Sequence, residues 1–177
     1  MKRLLHILLA ASALAGAASH AAPMTSASLT SAAPAADFTG IDKWLNSDPL
    51  TMRQLRGKVV LVDFWTYTCI NCIRTLPHVT SWHDKYKGQG LVVVGVHTPE
   101  YPHERSTDNV RQAIKRFGIT YPVAQDNRYA TWSAYGNRYW PAVYLIDKKG
   151  RVVYQHFGEG AYQETEAKIR SLLAEAP

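Results

Sequence analysis

The apolar positions fall into short runs of two kinds. Val59 to Asp63 is a five-residue stretch with four aliphatic side chains, and Leu91 to Val96 is a second continuous apolar run. Short runs without alternation predict strands covered on both faces. Between them Ile73, Leu76 and Val79 recur at helical spacing, and Lys87-Gly88 offers a C-cap. Farther on, Val110, Ile114 and Phe117 mark one face of a second helix, which Ser106, Thr107 or Asp108 can cap and Gly118 stops. Tyr121 to Ala124 predicts a short edge strand and Asp126-Asn127 a turn. Tyr129 to Tyr135 predicts a short helix that buries Trp132 and closes at Gly136-Asn137. Ala142 to Ile146 and Val152 to Phe157 flank Asp147-Lys148-Lys149-Gly150, a hairpin signal. Gly158-Glu159-Gly160 then leads into a final helix with Tyr162, Ile169, Leu172 and Leu173 facing inward. A β-α-β half followed by a β-β-α half predicts an α/β fold.

The start of the chain is patterned differently. Lys2 and Arg3 precede Leu4 to Ala18, apolar apart from His6 and Ser12, and Ser19-His20-Ala21 offers a small-x-small cleavage site. This predicts a secretory signal peptide over residues 1–21. The run is short for a membrane span, and an uncleaved anchor is the alternative. No cysteine lies near the site, which argues against a lipid anchor. Residues 22–36 are almost only Ala, Ser, Thr and Pro and predict a flexible linker. The folded domain is expected over 37–177. Phe38, Ile41, Trp44 and Leu45 open it, Asp48-Pro49 marks a turn, and Leu50, Met52 and Leu55 precede Arg56-Gly57-Lys58. Short strands or a short helix are expected there.

Charge narrows the partners. The formal net charge of the 177 residues is +6, and removing Lys2 and Arg3 (6 − 2) leaves +4. The basic residues are scattered, with no stripe of interleaved aromatics, so a nucleic-acid partner is not indicated. A weak preference for acidic partners or anionic head groups is all the balance allows.

The two cysteines change the picture most. Cys69-Ile70-Asn71-Cys72 lies where the first strand feeds the first helix. Two sulfurs at this spacing can close into a small ring. The first, at a helix N-terminus, meets unpaired N–H groups and a dipole that favour the thiolate. Cys69 is therefore the candidate nucleophile, attacking a partner disulfide, and Cys72, one turn on, the resolving thiol. Cys72 must lose a proton at that moment. Asp63 is the one charged residue in a strand built for the interior, and a buried carboxylate without a cation has the raised pKa that suits a general base. A purely structural disulfide is a poor alternative, because so short a bridge constrains little chain entropy. A zinc site is another, but no second cysteine pair completes it, and His78 and His83 lie a turn or more beyond Cys72 with Pro77 between. No resident cofactor or metal is expected.

The residues around the cysteines carry a resemblance. Asp63 six positions before Cys69, the pair Phe64-Trp65, Pro77 five positions after Cys72, and Trp140-Pro141 before the run Ala142 to Ile146 resemble the thioredoxin superfamily. Within it the chain is similar to exported proteins of the TlpA type. FWTYTCINCIRTLP, VVGVHTPE and GNRYWPAVYLID resemble more narrowly the thioredoxin-like domain of DipZ-type proteins. The resemblance covers roughly Ile41 to Leu173. It implies a thioredoxin fold, a central mixed β-sheet flanked by helices, with a TlpA-like helical insertion over Tyr101 to Pro122. It implies a cis peptide at Pro141 facing the disulfide, where an extended client can pair. Trp65, Tyr67 and Trp140 would form an apolar rim for that client. His97 and Glu100 are expected near the site because they follow a strand's carboxyl end. Asn71 and Arg74 are candidates to tune the thiolate.

The expected activity is thiol-disulfide exchange with protein partners in the periplasm, as a reductase supplied by a membrane electron donor of the DsbD/CcdA type. The central dipeptide Ile70-Asn71 replaces the Gly-Pro of thioredoxin, which leaves a disulfide-inserting oxidase open. A peroxidase of peroxiredoxin type fits Thr66 and Cys69 but has Val62 where that family has proline. A copper carrier using Cys69, Cys72 and His97 is the third alternative.

Overall fold

The structure is a computed structural model that describes residues 32–176. The signal peptide and most of the linker expected over 1–36 lie outside the described residues. At the centre is β2 (Val59–Trp65), seven residues all buried. It pairs parallel with β3 (Leu91–His97), Val59 opposite Leu91 through Trp65 opposite His97. On its other side it pairs antiparallel with β5 (Ala142–Ile146), Asp63 opposite Val143. The sheet continues beyond β3 with β4 (Val123–Gln125), parallel, and then β1 (Lys43–Leu45), antiparallel. Beyond β5 comes β6 (Val152–Phe157), antiparallel, so the order is β1-β4-β3-β2-β5-β6.

The sequence pattern puts an edge strand at 121–124. In the structure β4 is interior, because Lys43 to Leu45 pair along its outer side. A three-residue strand is too short to show a period, and its pairing across about 80 residues has no local signal.

Alternation along β2 assigns each side chain to a layer. Val59, Leu61 and Trp65 face a core shared with α1 (Ile70–Tyr86), α2 (Thr107–Arg116) and α4 (Tyr162–Ala174). Val60, Val62 and Phe64 face a second core made with Met52, Leu55 and the short α3 (Ala130–Ala134). Trp132 of α3 is half-buried rather than enclosed, edge-on to Phe64 and 4.1 Å between ring centres from Trp140. Helix α1 runs through Pro77 without ending. Helix α2 is capped by Ser106, whose hydroxyl accepts from the Asn109 N–H.

The hairpin between β5 and β6 forms as its turn residues predict, with Gly150 at φ +73°. The left-handed conformation there favours glycine; a Cβ would also come within 2.5 Å of the Arg56 guanidinium, a flexible side-chain end that can move aside. The main chain of residues 33–35, at the end of the expected linker, pairs with this hairpin: Ala35 N–H donates to Gly150 O and Val152 N–H to Ala33 O.

Candidate active site

The carboxyl end of β2 delivers the chain directly to the dithiol. Cys69 is the N-cap of α1, with φ −70° and ψ 115°, and its Sγ accepts from the Cys72 N–H at 3.3 Å. Cys69 is partly exposed and Cys72 is 1% exposed. The Cys72 thiol donates to the Cys69 sulfur and, against the opposing effect of burial, brings the Cys69 pKa down to about 7. The N–H groups of Cys72 and Asn71 help, and the Glu100 carboxylate opposes. Burial first, then the bond to Cys69, pushes the Cys72 thiol far above its ordinary range. The two thiols are thus shifted in opposite directions, Cys69 towards the thiolate and Cys72 towards the thiol.

Asp63 projects from the same face of β2 as Leu61 and Trp65, into the core that contains Cys72 and Tyr121. It is 1% exposed, and neither carboxylate oxygen has a hydrogen-bond partner among the protein atoms. Burial, and secondarily the negative Cys69, raises its pKa to about 7. Its charge in turn helps to keep Cys72 protonated. A carboxylate with a pKa near neutrality can accept a proton from a neighbouring thiol.

The strap from β2 to α1, Thr66 to Thr68, is tied down by polar groups. His97, buried between Trp65 (edge-on, 5.1 Å) and Tyr67 (stacked, 5.5 Å), lies 3.3 Å through Nε2 from Thr66 Oγ1. Burial lowers its pKa to about 4, so it is neutral. Glu104 comes from a short 3-10 turn, Pro102–Arg105, in the insertion, and is fully buried. It accepts from the Thr68 N–H and from the Thr68 hydroxyl. Burial pushes its pKa up, but the donors of Thr68, Tyr101 and Glu100 outweigh that and hold it below the usual glutamate range. Glu104 has no signal in the sequence: it sits in a polar loop, 36 residues from its partner.

The Trp140–Pro141 peptide is cis. The rim expected from Trp65, Tyr67 and Trp140 is not made by those three. Trp65 is 0% exposed, because alternation in β2 turns it inward with Asp63. Tyr67 is buried, its hydroxyl donating to His103 O at 3.0 Å. Trp140 alone keeps part of its surface, with Nε1 donating to Thr98 O. The exposed apolar groups beside it are Tyr139 and Phe157, and Ile70, the first residue of α1 between the two cysteines, is exposed as well. Asn71, Tyr139, Trp140, Phe157 and Gly158 line a groove of about 420 Å³. Arg74 forms an exposed pair with Glu159, 3.4 Å apart. Among the described residues no cluster of three or more His, Cys, Asp or Glu is placed to hold a metal ion, and no helix is long and apolar enough to cross a membrane.

A dithiol at the N-terminus of a helix, fed by the central strand of a mixed sheet and backed by a buried acid, is the arrangement of thioredoxin-fold proteins that exchange thiols and disulfides. Known proteins of similar sequence and structure agree. The chain belongs to the Redoxin family, whose model matches residues 30–173. It is 53% identical over 153 residues to Protein DipZ of Mycobacterium tuberculosis, an alignment covering 85% of this chain and 22% of that protein. The chain therefore spans about a fifth of the length of that relative. It is 33% identical to the thiol-disulfide oxidoreductase YkuV of Bacillus subtilis, over 80% of this chain and 95% of the other. The solution structure of a thioredoxin-like protein in its oxidized form matches with a TM-score of 0.75 at 31% identity, covering 82% of this chain and 98% of that one. Within that family it is similar to DipZ and to proteins named thiol-disulfide oxidoreductases.

Proposed function

We propose that this enzyme is an exported reductase of protein disulfides, recharged by a membrane electron donor of the DsbD/CcdA type. The observation that supports the direction of flow is the modest stabilisation of the Cys69 thiolate, with its pKa near 7. Thioredoxin, a reductant, has a nucleophile of pKa about 7, and the strong oxidant DsbA one of about 3.5. A thiolate held no more tightly than this adds little stability to the dithiol form, so the pair gives up its electrons readily.

The reaction runs in two exchanges. The Cys69 thiolate attacks one sulfur of the client disulfide; a Cys69–client disulfide forms and the client's other sulfur leaves as a thiolate. Cys72 then passes its proton to Asp63 and attacks the Cys69 sulfur. The Cys69–Cys72 disulfide forms, the second client sulfur leaves, and two electrons have moved to the client. A donor dithiol restores the enzyme by the reverse exchanges. The client strand lies across Pro141 and the groove of Tyr139, Trp140 and Phe157, where rigid aromatic rings are good anchors. The pattern of residues 1–21 supports export, with the domain free in the periplasm or held by an uncleaved N-terminal anchor.

Cys72→Ser in the full chain tests this. It is expected to accumulate client proteins disulfide-linked to Cys69 in the periplasmic fraction, and Cys69→Ser to lose them. Adducts confined to the cytoplasm, or formed equally without Cys69, contradict the proposal.

A further inference from the structure

Glu104 is a costly residue to place where it is. It is 0% exposed, and none of the ion pairs among the described residues includes it. A buried carboxylate without a cation is tolerated only where hydrogen bonds satisfy it. Here four donors do. Oε1 takes the Thr68 N–H at 3.3 Å and the Thr68 hydroxyl. Oε2 takes the Glu100 N–H at 2.6 Å and the Tyr101 N–H at 2.9 Å. One oxygen thus holds the insertion's own turn, and the other holds the residue that immediately precedes Cys69. An apolar side chain could cover the sheet as well, but it could not join these two segments.

We propose that Glu104 is a positioning residue for the Cys69 nucleophile, acting through its two hydrogen bonds to Thr68. Cys69 serves as N-cap only while its Sγ faces the N–H groups of Asn71 and Cys72. That orientation depends on where the strap leaves β2 and enters α1. His97 fixes the strap's first residue, Thr66, and Glu104 its last, Thr68. The insertion is in this way part of the catalytic architecture as well as a cover for the sheet. The inference rests on the reading of Cys69 as nucleophile.

The sign of the effect separates this role from the alternatives. If Glu104 acted on Cys69 only through its charge, removing it would favour the thiolate. If it served only stability, the thiolate would not respond. Positioning requires that loosening the clamp disfavours the thiolate, because Sγ spends less time at the helix N–H groups.

Thr68→Val keeps the shape of an exposed side chain and removes the hydroxyl; Thr68→Ser keeps the hydroxyl. In the reduced full chain, the pH dependence of Cys69 alkylation by iodoacetamide gives the thiolate midpoint. Thr68→Val is expected to move the midpoint up and Thr68→Ser to restore it. Nucleophilicity rises with pKa with a coefficient of about 0.4–0.5, so a midpoint higher by about one pH unit slows the reaction about three- to fourfold near pH 6 and does not slow it above about pH 9. Glu104→Ala is expected to move the midpoint the same way; should it not fold, Thr68→Val alone decides. A midpoint that is unchanged or lowered in Thr68→Val overturns the proposal. Failure of the nucleophile reading has its own signature, retention of disulfide exchange by Cys69→Ser, which the Thr68 variants do not affect.

Discussion

Replacing Asp63 by Asn removes a carboxylate whose ionisation the fold resists. Its pKa rises from 3.8 to about 7. A tenfold change in acidity corresponds to about 1.36 kcal/mol, so burying the ionised form costs about 4 kcal/mol. Because the folded-state pKa is the higher one, the native protein holds a proton that the unfolded chain has released. The stability this contributes is complete below about pH 4 and is lost as the pH rises to about 7. Linkage with these two values gives a loss of roughly 2.5 kcal/mol between about pH 5 and pH 8 from this residue alone. Asp63→Asn does not titrate. Its amide brings a constant cost, since no partner faces either oxygen of Asp63 in the wild type, but no slope. Urea unfolding of the reduced proteins at the two pH values reads the difference directly. Wild type is expected to lose about 2–3 kcal/mol relative to Asp63→Asn on going to the higher pH, the Cys69 titration being common to both. Equal losses in the two proteins would mean that Asp63 is ionised at an ordinary pKa, and its assignment as the proton acceptor for Cys72 would fall with that.

Two further outcomes follow from the same geometry. The Cys72 thiol is the largest influence lowering the Cys69 pKa, so Cys72→Ala should raise the thiolate midpoint above about 7, measured by ultraviolet thiolate absorbance; an unchanged midpoint would assign the effect to the helix N–H groups alone. Gly95 lies opposite Asp63 in β3, and a Cβ there would come within 2.9 Å of Trp65 Nε1 and 3.1 Å of Tyr121 Cε2, both rings fully buried. Gly95→Ala should therefore cost about 1–3 kcal/mol, seen as a Tm lowered by several degrees, and an undiminished Tm would show that the rings have room to move.

How much of this could be read from the sequence follows the range of each interaction. The two unbroken aliphatic runs announce β2 and β3, and the Asp-Lys-Lys-Gly turn announces the β5–β6 hairpin, because each signal is local. Cys69, Cys72 and Asp63 are legible for the same reason: a dithiol at a strand–helix junction and a lone charge in an aliphatic strand are visible within about ten residues. β1 is not, since three residues carry no period and its partner lies far along the chain. Glu104 is not, because its role exists only once the insertion has folded back on Thr68. Trp65 belongs to the core and not to the rim, as alternation from the inward Asp63 already requires. The exposed Tyr139 and Phe157 show that the apolar surface beside the dithiol comes from the β5–β6 side instead.

The central claim, that this dithiol gives electrons to client disulfides, is tested most directly by the reduction potential of the Cys69–Cys72 pair, equilibrated against glutathione or dithiothreitol. A value near or below about −220 mV, among the thioredoxin-like reductants, is expected. A value near about −120 mV, among the strong oxidants, would contradict it and make the enzyme one that inserts disulfides.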